Sequence, residues 1–393
     1  MVQWLASRGH DVRVVTTPPY YPAWKVSEGY QAMRYTTQIL DGAKVYRCPL
    51  WVPTQPSGFK RMLHLLSFAL SSLPVMLAQI GWKPQIVFTV EPAFFCAPMA
   101  LLTAGLAGSP AWLHVQDFEI DAAFDLGLLP SGGPIHDFAL AFEHFFTQRF
   151  DRVSSISPNM VQRALTKGVQ PDRTLLFPNW VDTEAIYPLD TASGPNHMRR
   201  ELGIREDQVV LLYSGNMGNK QGLEMLAPLA SHFIQDQRAH FIFCGDGAFR
   251  PQLEEMVSGM ANVSLLPLQP MDCLNDLLNA ADIHLLPQKA DAADLVMPSK
   301  LTGMLASGRP VIATAAAGTQ VAEAVVGHGI AVPAGDFDAL CGAVKRLLDD
   351  GGLRRTLGEA ARKFAVTYLG REEVLLRFER ALDSLATQHS RLA

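Results

Sequence analysis

Leu211-Leu-Tyr-Ser-Gly-Asn-Met-Gly-Asn-Lys-Gln-Gly-Leu-Glu224 is the stretch on which the reading of the whole chain turns. The aliphatic run Val209 to Tyr213 reads as a strand, which breaks into a loop holding Gly215, Gly218 and Gly222. An amphipathic helix is expected from about Leu223. Glycines let the backbone approach a ligand closely, and unpaired N–H groups opening a helix favour an anion. Lys220 adds a mobile positive charge in the same turn. The unit therefore reads as strand, phosphate loop and helix, with Gly215, Asn216 and Gly218 against the ligand. An ordinary βα turn draws on the same residue types.

Three neighbouring stretches extend the reading. Phe241-Ile-Phe-Cys-Gly-Asp-Gly247 is a second strand whose end, Gly245, Asp246 and Gly247, could line the same crevice or form a tight turn. Leu265-Leu-Pro-Leu-Gln-Pro270 ends a third, placing Leu268 in a loop that offers backbone amides to a planar ring or serves as a plain connection. In Met297-Pro-Ser-Lys-Leu-Thr-Gly-Met-Leu-Ala-Ser-Gly-Arg-Pro-Val-Ile312, Pro298 suits a first helical turn, so Ser299 and Lys300 sit at its positive end. Lys300 could equally be a solvated surface lysine. Two helix starts and two cations in one domain fit a nucleoside diphosphate.

Working outward, strands are expected at 11–16, 44–47, 85–90, 111–115, 152–156 and about 175–177, then at 209–213, 240–244, 263–266, 283–287, 311–315 and 330–332, with helices between them. Such alternation implies an α/β chain of two Rossmann-like, doubly wound domains with parallel sheets covered on both faces. Residues 1–187 would form the first, 188–370 the second, and 371–393 a last helix free to pack back on the first. The linker is placed at Tyr187 to Pro195. In tandem, two such domains face one another across a cleft at the carboxyl ends of their strands. The chain opens inside a helix, Val2 to Arg8, so the expected start is a shortened one in which the first, central strand is missing.

Composition narrows the chemistry. With 33 basic against 38 acidic residues the chain lacks the broad basic field of a nucleic-acid binder. Its five cysteines are scattered without metal-ligand spacing, as in reduced thiols of a cytoplasmic protein. Asp336-Phe-Asp338 precedes a helix and reads as capping, so neither a metal nor a cofactor is expected. Leu63 to Ile80 and Ala93 to Gly108 are apolar but interrupted, and read first as buried helices. Lys60 and Arg61 before the former, and Trp82 and Lys83 after it, also suit a helix lying in a bilayer surface, hence peripheral membrane contact.

The first half offers fewer polar groups. Trp112-Leu-His-Val-Gln-Asp-Phe-Glu-Ile-Asp121 ends a strand and aims Gln116 and Asp117 at the cleft. His114 shares a face with Gln116 and reads as a packed, hydrogen-bonded histidine. Pro18-Pro-Tyr-Tyr-Pro22 with Trp24 is a rigid aromatic loop; Tyr20 and Tyr21 could stack on a sugar, touch lipid or simply pack.

In combination these stretches resemble the retaining nucleotide-sugar glycosyltransferases of the GT-B architecture, family 4. Leu5 to Thr16, with Gly9 and His10, is similar to the family's helix, Gly-His and strand signature. Phe177-Pro-Asn-Trp-Val-Asp-Thr-Glu-Ala-Ile-Tyr-Pro188 is similar to its interdomain element, and the 214–224 and 298–310 blocks to its donor region. The likeness spans nearly the whole chain. It implies a GDP- or UDP-linked sugar donor in the second domain, with Lys220 and Lys300 stabilising the departing diphosphate. It further implies an oligosaccharide or lipid-linked acceptor at the inner face of the cytoplasmic membrane, in exopolysaccharide assembly. The family's catalytic-loop histidine falls at Gln116, leaving Asp117 nearest the reacting carbon and Gln116 on the acceptor side. Two departures stand out. Asn216 replaces the arginine usual before the lysine, and Gly303 stands where the ribose-binding glutamate is expected, with Asp294 one residue out of register for its companion. These departures motivate the rival expectation of a non-catalytic GT-B scaffold, and a sugar-nucleotide epimerase is a second rival. No GxGxxG opens a strand–helix unit, which argues against a dinucleotide oxidoreductase.

Overall fold

The structure, a computed structural model, describes the chain except residues 22, 56–57, 119, 122–123, 125–131, 190–195, 219–220, 290–297 and 393, and the side chains of 135 and 392. It forms two compact units: Met1–Pro178 with Leu375–Ala393, and Asn179–Val374. The division falls before the 187/188 boundary placed from sequence. The reason is local: Val181 N–H donates to the Leu369 carbonyl at 2.9 Å, and Tyr187 N–H to Asn275 Oδ1 at 3.0 Å. Leu189 N–H likewise bonds Asn279, so the expected linker is secured to unit 2 up to Leu189, and its remainder lies outside the described residues.

Unit 1 contains β1 (Arg13–Thr16), β2 (Thr36–Leu40), β3 (Ala43–Arg47), β4 (Val87–Glu91), β5 (Ala111–Val115), β6 (Arg152–Ser155) and β7 (Thr174–Leu176). They lie in two sheets, ordered β1-β3-β2 and β4-β5-β6-β7. The second sheet is parallel throughout, whereas β2 runs antiparallel to β3. This departs from the purely parallel expectation, and β2 was not expected at all. Four of its five residues are exposed, so hydrophobic periodicity had nothing to register. The turn itself, Asp41-Gly42 with φ of 49° and 80°, is the two-residue hairpin that Asp-Gly favours.

The helix Arg371–Leu392 completes this unit. Phe378 stacks on Phe177 with centroids 4.3 Å apart and meets Trp112 edge-on at 5.2 Å. One residue later Glu379 receives Arg8 Nε at 2.8 Å and lies 2.8 Å from His10 Nε2. The same helical turn thus packs on strands of the second sheet and bonds the segment leading into β1.

Unit 2 is the cleaner half. Strands β8 (Val209–Ser214), β9 (Ala239–Cys244), β10 (Val263–Leu266), β11 (Ile283–Leu286), β12 (Val311–Thr314) and β13 (Gly329–Val332) form one parallel sheet, ordered β10-β9-β8-β11-β12-β13. β8, β9, β11 and β12 are buried at every position, as strands covered on both faces must be. Val210, Leu212, Ile242 and Leu286 fill the core on one face; Leu211, Tyr213, Phe243 and Leu285 fill it on the other. The strand order reverses between β8 and β11, the position at which an open α/β sheet leaves a ligand crevice beyond its carboxyl ends.

Removing the aromatic ring that completes unit 1 should be costly. Phe378→Ala is expected to destabilise unit 1 by about 3–5 kcal/mol. Chemical denaturation should show that transition moving to lower denaturant while the unit 2 transition stays in place.

Candidate functional site

The loops leaving β8, β9 and β11 meet backbone to backbone, which only glycine permits. A Cβ at Gly245, whose φ is +151°, would stand 1.9 Å from the Gly215 carbonyl oxygen. One at Gly247 would stand 2.6 Å from the Met217 carbonyl oxygen, and one at Gly222 2.9 Å from that of Gln288. Hydrogen bonds lock the arrangement: Gly215 N–H to Cys244 O at 3.0 Å, Met217 N–H to Asp246 O at 2.7 Å, and Phe249 N–H to Met217 O at 2.8 Å. Arg250 clamps the far side, donating to the carbonyls of Gly245 and Leu266.

Into this meshwork comes Lys300, the first residue of the helix Lys300–Ala306 that follows β11. Its ammonium is buried and, among the described residues, has no hydrogen-bond partner. It lies 4.2 Å from the centre of the Tyr213 ring and 3.8 Å from where a Cβ on Gly215 would be. Burial pulls its pKa down from 10.5 to about 8. Tyr213 donates its hydroxyl to the Asn216 carbonyl at 2.6 Å, and burial raises its own pKa, so the phenol stays neutral. Among the described residues, Gln221 Oε1 is likewise a buried polar atom without a partner. The arrangement suits an anion, which would give the ammonium the partner it lacks. Among the described residues no cluster of His, Cys, Asp or Glu could hold a metal ion.

The residues singled out from sequence are placed as follows. Gly215, Gly218, Gly245, Asp246, Gly247 and Lys300 share the carboxyl end of the sheet at the β8 and β9 loops, with Asn216 exposed among them. Leu268 is exposed in the loop after β10, and Ser299 is exposed beside Lys300. Gly303 faces a neighbouring helix instead, where Leu278 Cδ1 would meet its Cβ at 3.4 Å. Lys220 and Asp294 lie outside the described residues. The expected helix start at Leu223 is a 3-10 turn, Leu223–Met225, and the helix proper is Leu226–His232. Asp336 does cap the helix Phe337–Asp349, accepting from Ala339 N–H at 2.9 Å. The Tyr213 ring, Gln221 and Arg250 escaped the sequence reading. Only the position of Tyr213 at a strand end hinted at its contact.

In unit 1, Gln116 and Asp117 follow directly on β5. The His114 ring lies 2.9 Å by Nδ1 from Ser154 Oγ, and Gln116 Nε2 lies 2.8 Å from its Nε2. Burial lowers its pKa to about 4, so it is a neutral, packed histidine. Tyr20 packs edge-on against His64 at 4.7 Å and Trp24 lies 5.3 Å from the same ring, so the aromatic loop is largely a packed one. Tyr21 alone of the pair is exposed.

Residues 1–180 match the family described as Glycosyl transferase 4-like domain, and residues 208–350 the one described as Glycosyl transferases group 1. A protein of Escherichia coli (strain K12) named for glycosyl transfer in colanic acid biosynthesis is 41% identical over 385 residues, 96% of this chain and 93% of its own. Sucrose-phosphate synthase of Thermosynechococcus elongatus superimposes with a TM-score of 0.75 at 18% identity, covering 98% of this chain and 92% of that one. HepE of Anabaena, solved in complex with UDP-glucose, gives 0.65 at 16% identity, covering 88% and 87%. Both solved structures share the fold.

The unpaired ammonium has a thermodynamic signature. Its folded pKa, about 8, lies below the unfolded value of 10.5, so it penalises folding fully below pH 8 and the penalty fades as pH rises toward 10.5. Lys300→Met should therefore stabilise unit 2 near neutral pH, by roughly 3 kcal/mol at most. It should also flatten the rise in stability between pH 8 and 10.5 that denaturant titration reads in the parent. A less stable variant would mean that the ammonium is paired.

Proposed function

The chain belongs to the family 4 glycosyltransferases of the GT-B architecture, and on that premise we propose that it moves a sugar, with retention, from a nucleoside diphosphate sugar to a lipid-linked oligosaccharide. The pathway proposed is exopolysaccharide assembly of the colanic acid type, at the inner face of the cytoplasmic membrane. One observation carries the donor class: a buried, partnerless ammonium against a glycine loop at the strand-order reversal of unit 2.

In this reading the diphosphate lies along the Gly215 to Gly218 loop and takes Lys300 as its counter-charge, with Lys220 as a second cation. The loop around Leu268 receives the base through backbone groups. Gly303 supplies no carboxylate for the ribose, which must then be held by backbone and hydroxyl groups. Breaking the anomeric carbon–oxygen bond leaves negative charge on the diphosphate, where a fixed cation shielded from water acts most strongly. The acceptor oxygen bonds to the anomeric carbon on the face the diphosphate vacates, and its proton passes to the departing phosphate oxygen. That geometry preserves the anomeric configuration. Asp117 and Gln116, at the end of β5, orient the acceptor. UDP-glucose is the natural first donor to try, because the fold neighbour HepE binds it.

Titration of the chain with UDP and GDP sugars should give saturable binding to one of them. Affinity should be level below about pH 8 and weaken by up to tenfold per unit above it, as Lys300 in the free protein loses its proton. Lys300→Ala and Lys220→Ala should each lower kcat by about 10²–10³-fold, with unchanged circular dichroism. Binding of neither nucleotide would identify a scaffold, and turnover without an acceptor would identify an epimerase.

A further inference from the structure

The helix Gly58–Ala78 is built inside out. Its inward residues include His64, Ser72 and Gln79 at its end, with Ser67 and Ser71 half-buried. These polar groups are satisfied within unit 1. His64 Nδ1 lies 2.6 Å from the Trp51 carbonyl, Ser71 donates to the Pro49 carbonyl at 2.6 Å, and Gln79 accepts from Arg13 at 3.0 Å. The opposite face carries Phe59, Leu63, Leu66, Leu70 and Leu77, all exposed, with Phe59 at 69% and Leu70 at 56%. Their spacing of four, three, four and seven residues draws one straight apolar line down the helix. Exposed Leu102 and Leu106 stand on the helix Ala97–Ala107, which packs against it. Tyr35, whose hydroxyl bonds the Ser71 carbonyl, and Trp51, whose N–H bonds Ser67, add two exposed aromatic rings. A water-soluble surface rarely gathers so much apolar area in one place.

Charge selects the occupant. No Asp or Glu occurs between Asp41 and Glu91, while Lys44, Arg47, Lys60, Arg61 and Lys83 do, in a chain whose net charge is −5. Lys60 and Arg61 are exposed at the start of the helix, and Arg61 lies over the Trp24 ring at 5.3 Å. Lys83 follows its far end. A second copy seated on this stripe would bring its basic ends together, and the acid beside the far end, Asp11, already bonds Trp82 and pairs with Arg13. Gly58–Trp82 is also long and apolar enough to cross a bilayer, but its inner face is committed to hydrogen bonds with the rest of unit 1. We infer that this face docks unit 1 on an anionic phospholipid surface, the helix lying in the interface with Phe59, Leu63, Leu66 and Leu70 immersed. The inference deepens the membrane location named under the proposed function, yet vesicle binding is read without donor or acceptor, so docking and sugar transfer can fail separately.

The full chain should co-sediment with vesicles of phosphatidylcholine and phosphatidylglycerol, much less with phosphatidylcholine alone, and less in high salt. The combined change Leu63→Gln, Leu66→Gln and Leu70→Gln should weaken partitioning by about tenfold or more. Lys60→Glu with Arg61→Glu should abolish the preference for the anionic lipid. Both variants replace exposed side chains, so their thermal melts should match the parent. A parent that ignores both vesicle types, or a triple glutamine variant that binds as the parent does, overturns the inference. So does a parent dimer that the triple variant dissociates, which would assign the face to a second copy.

Discussion

An ammonium group shut away from water with nothing to bond is the constraint around which unit 2 is arranged. Lys300 rests on the Tyr213 ring and against Gly215, and among the described residues no hydrogen-bond partner relieves it. A fold tolerates such a charge only where the surroundings fix it in place. The fixing is done by backbone: the carbonyls of Gly215 and Met217 approach Gly245 and Gly247 so closely that any side chain there would collide. Strand order sets the stage, since β8 and β11 are neighbours with connections leaving in opposite directions. A lysine that begins the helix after β11 therefore reaches the loop after β8. Sequence separation between residues 215 and 300 is bridged by topology alone.

Much of this was legible from the chain itself, because buried parallel strands announce themselves as unbroken aliphatic runs. The described strands of unit 2 fall within a residue or so of where Val, Ile, Leu and Phe cluster. Lys300 was legible because Pro298 and the strand before it define a helix start. Unit 1 was harder to read. The residues of β2 face solvent, so its only signature was the Asp41-Gly42 turn. That its described strands divide between two sheets depends on pairing, which no local pattern encodes. Side-chain direction was equally hidden. Nothing in the sequence distinguishes a glycine that faces a loop, such as Gly215, from one that faces a packed leucine, such as Gly303. The boundary of the units was missed because the Pro- and Ser-containing stretch beginning at Tyr187 looks like a tether. Asn275 and Asn279 in fact bind its first residues down.

The two units solve burial differently. Unit 2 covers both faces of one sheet with apolar side chains, and the histidines it buries, His240 and His284, meet the hydroxyls of Ser264 and Ser307. Unit 1 instead turns polar side chains of its longest early helix inward, where backbone carbonyls of residues 49 and 51 receive them, and leaves leucines outside. The aromatic loop containing Tyr20 and Trp24 belongs to the same economy: both rings close over His64, which would otherwise be a polar group at the surface.

The last helix makes unit 1 discontinuous, with residues 179–374 interposed before Phe378 can reach Phe177, Trp112 and Phe88. On the ribosome, unit 2 emerges as an uninterrupted piece while unit 1 waits for its closing element. At 5–20 residues per second, those 196 intervening positions take roughly 10–40 s to translate. During that interval three aromatic rings stand uncovered on a nascent chain. Synthesis order therefore inverts domain order: the half begun first is the half finished last.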